Sequence, residues 1–414
     1  MNDLRSDEAP LDEQLLEALR DAASAATGFS HEAILGDALA RSARELLHSC
    51  PRDELISRAH LRDAELCRAL SQAVVVGETF FFRQPEHFRF IEEELVPRWL
   101  SRGARHIRAW SAGCATGEEA FSLAASLQQA LADAHAPHVS IDVLGTDILH
   151  RNLLVAHAAT YGAWSQRASA PLRAPLFRPV SAAPGAPPQV RVLDRVRDVV
   201  RFAGHNLLEP LPSGEETPFD LILCRNVLVY FSPEAARRAL ANLAAALADD
   251  GLLLLGSMDL NVAPLGLVRE GTPESLIFRK RPPANEPALA SPAPAADPLA
   301  AQPASVAPQS LVHQRLALHL QALHQLEKNQ LPEAEQTLRA LVVLAPDYLP
   351  GLFERALLHG RRGEPAAAAS LMREVRRRAL QLEPGAHVAG LETLDARFYV
   401  ESAEAFLRGP GGGA

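Results

Sequence analysis

The spacing of hydrophobic residues changes several times along the chain, and each change marks a new kind of element. From Leu11 to about Ser71, residues such as Leu15, Leu19, Ile34, Leu39, Leu46, Leu47 and Leu55 recur at intervals of three, four and seven, the repeat of helices with one buried face. This predicts a helical domain over residues 1–72. Val74-Val-Val-Gly-Glu-Thr-Phe-Phe-Phe-Arg83 ends the pattern with branched and aromatic residues. A helix from Pro85 follows, with Phe88, Ile91 and Leu95 on one face. After His106, strand-like runs occur at Ile107 to Ser111, Ile141 to Thr146, Val199 to Ala203, Phe219 to Cys224, Leu252 to Ser257 and Leu276 to Lys280. Helical stretches lie between several of them, notably Glu118 to Ala132 and Pro233 to Leu247. That alternation predicts an α/β fold, a mainly parallel sheet covered on both faces, over residues 73–280. Ser232 is placed to cap the Pro233 helix and Asp250-Gly251 to end it.

Two stretches fall outside the alternation. Residues 160–198 scatter Tyr161, Trp164 and Phe177 among prolines, with a loop at Ser181 to Gln189, and predict an inserted lobe carrying a small hairpin or irregular structure. From Arg281 to Ser310, 18 of 30 residues are Pro or Ala, so residues 281–310 read as an extended linker. Beyond it, Ala322, Ala334, Leu338 and Leu341 recur 34 residues later as Ala356, Ala368, Met372 and Val375. That is the period of paired-helix tetratricopeptide (TPR) repeats, with Pro346 where such a repeat ends. A TPR-like all-α domain is expected over 311–407, capped by the segment Ala386 to Leu407, with a glycine-rich disordered tail over 408–414.

Composition adds limits. Of 414 residues, 48% are hydrophobic and 22% charged, with net charge −9, so nucleic acid or an anionic membrane is not a partner that charge suggests. Residues 30–70 hold six arginines against seven acids, the balance of a solvated helix surface. Cys50, Cys67, Cys114 and Cys224 show no paired spacing, as in a reducing compartment. The first ten residues lack an export pattern and no run of about 18 apolar residues occurs. The expectation is a cytoplasmic monomer without membrane insertion. His135 and His138 read as solvated, and no metal site is expected.

The chemistry is concentrated in Arg108-Ala-Trp-Ser-Ala-Gly-Cys-Ala-Thr-Gly-Glu-Glu-Ala-Phe-Ser-Leu-Ala124, a strand, a tight small-residue loop and a helix start. Small residues let the backbone turn sharply and approach a ligand. A phosphate site would offer Lys or bare amides where this helix opens with Glu118 and Glu119, which suit a ligand with a positive end. S-adenosylmethionine, with its ammonium and sulfonium, is such a ligand. Asp147, Asn206 and Asn226 lie at or just beyond the carboxyl ends of strands, where open α/β sheets bind ligands. Phe80 to Phe82 can serve as a plug between domains, which leaves Thr79 and Arg83 to be explained.

Gly77-Glu-Thr-Phe-Phe-Phe-Arg83, Trp110-Ser-Ala-Gly-Cys-Ala-Thr-Gly-Glu-Glu119, Gly145-Thr-Asp147, Asn206-Leu-Leu208 and Cys224-Arg-Asn-Val-Leu-Val-Tyr-Phe231, taken in order, resemble the CheR-type chemoreceptor glutamate methyltransferases. The resemblance spans about residues 10–280. With the TPR-like region it is similar to members of alternative chemosensory pathways, such as the Wsp type that controls biofilm formation. It implies a Rossmann-like S-adenosylmethionine-dependent methyltransferase sheet with a helical N-terminal domain. It implies transfer of methyl to glutamate carboxylates on the cytoplasmic domain of a methyl-accepting chemoreceptor, leaving S-adenosylhomocysteine. The cofactor contacts it implies fall on Thr79, Arg83, Glu118, Glu119, Asp147, Asn206, Leu207, Arg225 and Asn226. Arg83 and Tyr230 would be catalytic, and an unidentified protein would bind the TPR-like region. In this picture Asp147 accepts the ribose hydroxyls and a glutamate holds the ammonium. The alternatives for single residues are a sheet-end ion pair for Arg225 and a core position for Tyr230. For the whole chain the alternative is a cofactor-binding scaffold without turnover.

Overall fold

The computed structural model describes residues 11–34, 36–75, 77, 79–162, 164–166, 175–180, 188–212, 217–256, 259, 266–270, 276–280, several positions between 315 and 326, 330–383, 386–388, 390 and 394–408. The Pro/Ala stretch 281–310, the Ser181 loop through residue 187 and residues 409–414 lie outside them. The chain forms two compact units, Met1–Lys280 and Arg281–Ala414.

The first unit begins with four helices, α1 (Glu13–Thr27), α2 (Gly36–Leu47), α3 (Arg52–His60) and α4 (Ala64–Val74). Side-chain caps set two of the starts: Asp12 accepts the Leu15 N–H at 3.2 Å and Asp63 the Leu66 N–H at 3.0 Å, each worth about 1 kcal/mol. Gly28 stops α1 at φ +80, a left-handed cap that favours glycine. Leu15, Leu19, Leu39, Leu55, Leu66 and Leu70 meet in a closed core. Arg52 pairs with Asp12 and Asp53, and Arg58 with Asp63.

The helix expected from Pro85 is three joined pieces: α5 (Pro85–Phe90), a π-helical turn at Ile91–Leu95, and α6 (Val96–Ser101). Phe88, Ile91 and Leu95 are fully buried along it. Then come β1 (His106–Ala112), α7 (Glu118–Asp133), β2 (Ser140–Asp147) and α8 (His150–Ala158). The inserted region holds β3 (Thr160–Tyr161), β4 (Phe177–Val180) and β5 (Gln189–Val192), an antiparallel sheet of order β3-β5-β4. After it come α9 (Asp194–Arg197), β6 (Val200–Gly204), β7 (Phe219–Cys224), α10 (Pro233–Ala246), β8 (Leu247–Leu255), β9 (Leu267–Glu270) and β10 (Ile277–Lys280).

The main sheet runs β6-β2-β1-β7-β8-β10-β9. The pairs from β6 through β8 are parallel, while β10 is antiparallel to both β8 and β9. The chain winds outward from β1 in one direction, then crosses to β7 and winds in the other. This is a Rossmann-like, doubly wound sheet whose switch point, and therefore its natural crevice, lies between β1 and β7. Alternate residues feed two cores: Ile107, Ala109, Leu221 and Leu223 on one face, Trp110, Ala112, Ile222 and Cys224 on the other, the period-two consequence of the strand pleat.

One boundary differs from expectation. Ser232 does cap α10, accepting the Ala235 N–H at 3.2 Å. The helix nevertheless ends at Ala246, and Asp250-Gly251 sits inside β8, where the register against β7 shifts between Phe219 and Leu221. The Asp-Gly signal serves a β-bulge: Asp250 takes φ +63, and a Cβ on Gly251 would lie 2.9 Å from the Phe219 oxygen. A turn dipeptide shows where the backbone bends, not which element bends.

The second unit contains α11 (Leu331–Leu344), α12 (Leu349–Arg361), α13 (Pro365–Ala379), the short strands β11 (His387–Val388) and β12 (Leu394–Asp395), and α14 (Ala396–Arg408). Ala322, Ala334, Leu338, Leu341, Ala356, Ala368, Met372 and Val375 are all fully buried. Arg408, expected in the tail, closes α14. Among the described residues no helix is long and apolar enough to cross a membrane.

Candidate active site

A cleft of about 820 Å³, counting the mouth that opens to solvent, lies at the switch point. Thr79, Arg83, Glu119, Asp147, Asn206, Leu207, Arg225, Asn226 and Tyr230 all line it, brought together from five separate stretches of chain. Its first wall is the loop after β1. Gly113 has φ +78, and a Cβ there would fall 2.6 Å from Val227 Cγ2 across the cleft; Gly117, at φ +95, leads directly into α7. Glycine is thus required both for backbone shape and for the close approach of the two walls.

Asp147, at the end of β2, is held by backbone: Oδ2 accepts Ala115 N–H at 2.9 Å and Oδ1 accepts Leu149 N–H at 2.8 Å. The Asn152 amide donates to Oδ1 at 3.3 Å. Burial pushes the carboxyl of Asp147 up from its ordinary range, against the pull of those donors. Oδ2 keeps a lone pair for a ligand hydroxyl. Asn152 also occupies the space beside Gly77, where a Cβ would lie 2.3 Å from its Nδ2.

Glu119 is paired within the protein. Ser111 Oγ donates to Oε1 at 2.7 Å and Arg225 Nε to Oε2 at 2.7 Å, with the Arg225 side chain only 1% exposed. Arg225 also donates to the Arg83 carbonyl at 2.6 Å and lies over the Phe88 ring, 5.0 Å from its centroid. The ion pair weighed as an alternative for Arg225 is therefore present, with Glu119 as its partner. Each Glu119 oxygen keeps one acceptor position. Glu118 is not in the cleft wall: its carboxylate accepts from Thr116 at 2.6 Å and Ser165 at 2.8 Å. Two glutamates adjacent on a helix point about 100° apart, so one turning to the cleft sends the other into the packing.

Asn206 lines the cleft, yet its amide donates to the Ala26 carbonyl at 2.9 Å and accepts Leu208 N–H at 3.1 Å, tying the rim to the end of α1. Asn226 has φ +60, is 8% exposed, and neither atom of its amide has a protein partner. Arg83 lies between Phe82 at φ +57 and Gln84 at φ +57, a strained turn pinned by Phe82 N–H to Ser122 Oγ at 3.0 Å. Strain of this kind persists where surrounding structure imposes it. Tyr230 is half-buried at the mouth, its ring 5.5 Å from that of Phe29.

Thr27 and Phe29, at the end of α1, also line the cleft and were not expected there. Backbone bonds join this strap to the far rim: Ser30 N–H to the Tyr230 carbonyl at 2.9 Å and Ser232 N–H to the Gly28 carbonyl at 2.8 Å. A lone Phe29 after Gly28 carries no sequence signal of so distant a contact. His205 also lines the cleft, and burial pushes its pKa down from the ordinary imidazole value. Asp259 was missed, although the end of β8 was a place to look for it.

These residues fit a ligand that is part nucleoside and part amino acid. An unpartnered buried amide on Asn226 calls for a polar partner, the two carboxylates retain acceptor positions, and Leu207 and Phe29 give apolar wall. The comparisons with known proteins agree. Residues 77–262 match the family described as CheR methyltransferase, SAM binding domain. A chemotaxis protein methyltransferase of Listeria innocua is 31% identical over 211 residues, 50% of this chain and 76% of that protein. One of Vibrio parahaemolyticus is 31% identical over 200 residues, 48% of this chain and 70% of that protein. The probable biofilm formation methyltransferase WspC of Pseudomonas aeruginosa is 32% identical over 216 residues, 51% of this chain and 49% of its own. The fold and cleft define an S-adenosylmethionine-dependent methyltransferase. Within that class, the chain belongs to the CheR methyltransferase family.

Proposed function

We propose that this protein esterifies glutamate side chains on the cytoplasmic domain of a methyl-accepting chemoreceptor, as part of chemosensory adaptation. The observation that carries the reading is the gathering of Arg83, Glu119, Asp147, Asn226 and Tyr230 in one cleft at the sheet's switch point. The likeness to WspC supports a pathway of the surface-sensing, biofilm type. The reading places the protein in the cytoplasm as a monomer, with the second unit a TPR-like array for a protein partner.

Asp147 would hold the ribose hydroxyls, Glu119 the ammonium and Arg83 the neighbourhood of the carboxylates. When bound, S-adenosylmethionine supplies an electrophilic methyl group on sulfur. The acceptor needs no base: a glutamate side chain, with an ordinary pKa near 4.3, is already anionic at neutral pH. The protein's task is then alignment and exclusion of water. Tyr230, at the mouth, would donate a hydrogen bond that aims the acceptor carboxylate. The test is incubation with methyl-labelled S-adenosylmethionine and receptor-containing membranes, followed by base. Volatile labelled methanol supports carboxyl esters; label that stays on protein overturns the assignment.

A further inference from the structure

Asp259 takes no part in the contacts above, yet it is 1% exposed and lies directly behind the cleft wall. Most of its acceptance is spent on one turn. Oδ2 accepts Asn226 N–H at 2.8 Å, and Oδ1 accepts Val229 N–H at 2.9 Å. Oδ2 also accepts Gly256 N–H at 3.0 Å, fastening the turn to the end of β8. The turn needs such a hold: Asn226 sits at φ +60, which a residue with a side chain adopts at some cost. Gly256 lets the two backbones approach, since a Cβ there would lie 2.6 Å from Asn226 N.

We propose that Asp259 is a positioning residue: its carboxylate fixes the Arg225–Tyr230 turn so that the Asn226 amide meets the cofactor and Tyr230 stands at the mouth. The proposal rests on the S-adenosylmethionine reading of the cleft, and not on which acceptor is methylated. A neutral side chain in the slot cannot reproduce it, because an amide presents one oxygen and an NH₂ where the carboxylate presents two oxygens to three N–H donors. Burial makes the charge costly, raising the Asp259 pKa to about 6 despite those three donors and the nearby charge of Arg83. The thiol of Cys224, at the end of β7, is in turn pushed up by its own burial and by this carboxylate.

The test is a thermodynamic cycle read by calorimetry of S-adenosylmethionine binding to the full chain, with thermal melting as a check of folding. Asp259→Asn and Asn226→Ala are each expected to weaken binding about tenfold. If Asp259 acts through Asn226, Asp259→Asn costs less than about threefold when Asn226 is already Ala, because residues that act together are not additive. Losses that multiply, or an unchanged affinity in either single variant, overturn the proposal. Should Asp259→Asn fail to fold, Asp259→Glu replaces it, keeping the charge but displacing the turn, with the same expected pattern. Wild-type protein that binds S-adenosylmethionine but esterifies no glutamate removes the substrate reading and leaves the cycle to judge Asp259 alone.

Discussion

The two loops that face each other across the cleft are shaped by opposite means. The loop after β1 gets its form from its own residues, Gly113 at φ +78 and Gly117 at φ +95. The turn after β7 contains no glycine between Arg225 and Tyr230, and it is held by a carboxylate 33 residues further on. One wall thus takes its bends mainly from glycines, with Ala115 N–H tied to Asp147, while the other has no glycine and hangs on the three-bond clamp of Asp259. A site at a switch point needs both, because its walls come from strands that the chain visits far apart.

The largest expected effect is on the local wall. Gly113→Val would add a branched side chain at positive φ and drive it into Val227, 2.6 Å from the new Cβ; the cost should be roughly 4 kcal/mol from strain and overpacking. Urea unfolding measures it, and Val227→Ala should recover part of the loss. A variant of wild-type stability would show that this wall, too, is held from outside.

Next in size is the clamp's dependence on pH. Asp259 rises from 3.8 to about 6 on folding, so the folded chain binds this proton more tightly than the unfolded one. The stability it contributes is complete below 3.8 and is lost as pH climbs through about 6, a change of about 3 kcal/mol. Asp259→Asn has no such proton. The stability difference, wild type minus variant, should therefore fall by that amount across the interval in urea titrations at a series of pH values; a constant difference contradicts a buried ionising carboxylate.

Smaller again is Tyr230→Phe, which removes one hydroxyl from the clamped turn. Methylation should slow by about tenfold, with affinity for S-adenosylmethionine nearly unchanged and the wild-type rate flat from about pH 7 to 8.5, above the titration of Asp259 at about 6. A rising limb near pH 7 in single turnovers would bring in a base such as His205. The smallest effect should follow from stopping the chain near Pro283: affinity for S-adenosylmethionine within about twofold of the full chain, since each unit has its own core. A truncated chain that cannot fold would refute that separation.

The same contrast explains what could be read from the chain. Gly113 and Gly117 announce a turn because the requirement lies in the residue itself, and Leu221 to Cys224 announces a strand through its unbroken apolar run. Asp147 could be placed because it ends a strand. Glu118 and Glu119 could not be told apart, since which one turns inward depends on Ser165 and Arg225, distant in sequence. Asp250-Gly251 was assigned to a helix end because a bend is local information while the identity of the bending element comes from pairing with β7. Asp259 and Phe29 were out of reach for the same reason: their partners are 33 and about 200 residues away.

The strap at Gly28 to Ser30 bears on how such proteins can be divided and recombined. The region matched to the family begins at residue 77, which invites treating the sheet as a transferable cassette. Thr27 and Phe29, however, form part of the cleft's surface, and the strap bonds to the backbone at Tyr230 and Ser232. A graft cut at residue 77 would carry the strands and leave the cleft open on one side, with Tyr230 stripped of the ring that backs it. The exchangeable piece of this architecture starts at α1, and a chimaera that respects that border inherits a complete chamber.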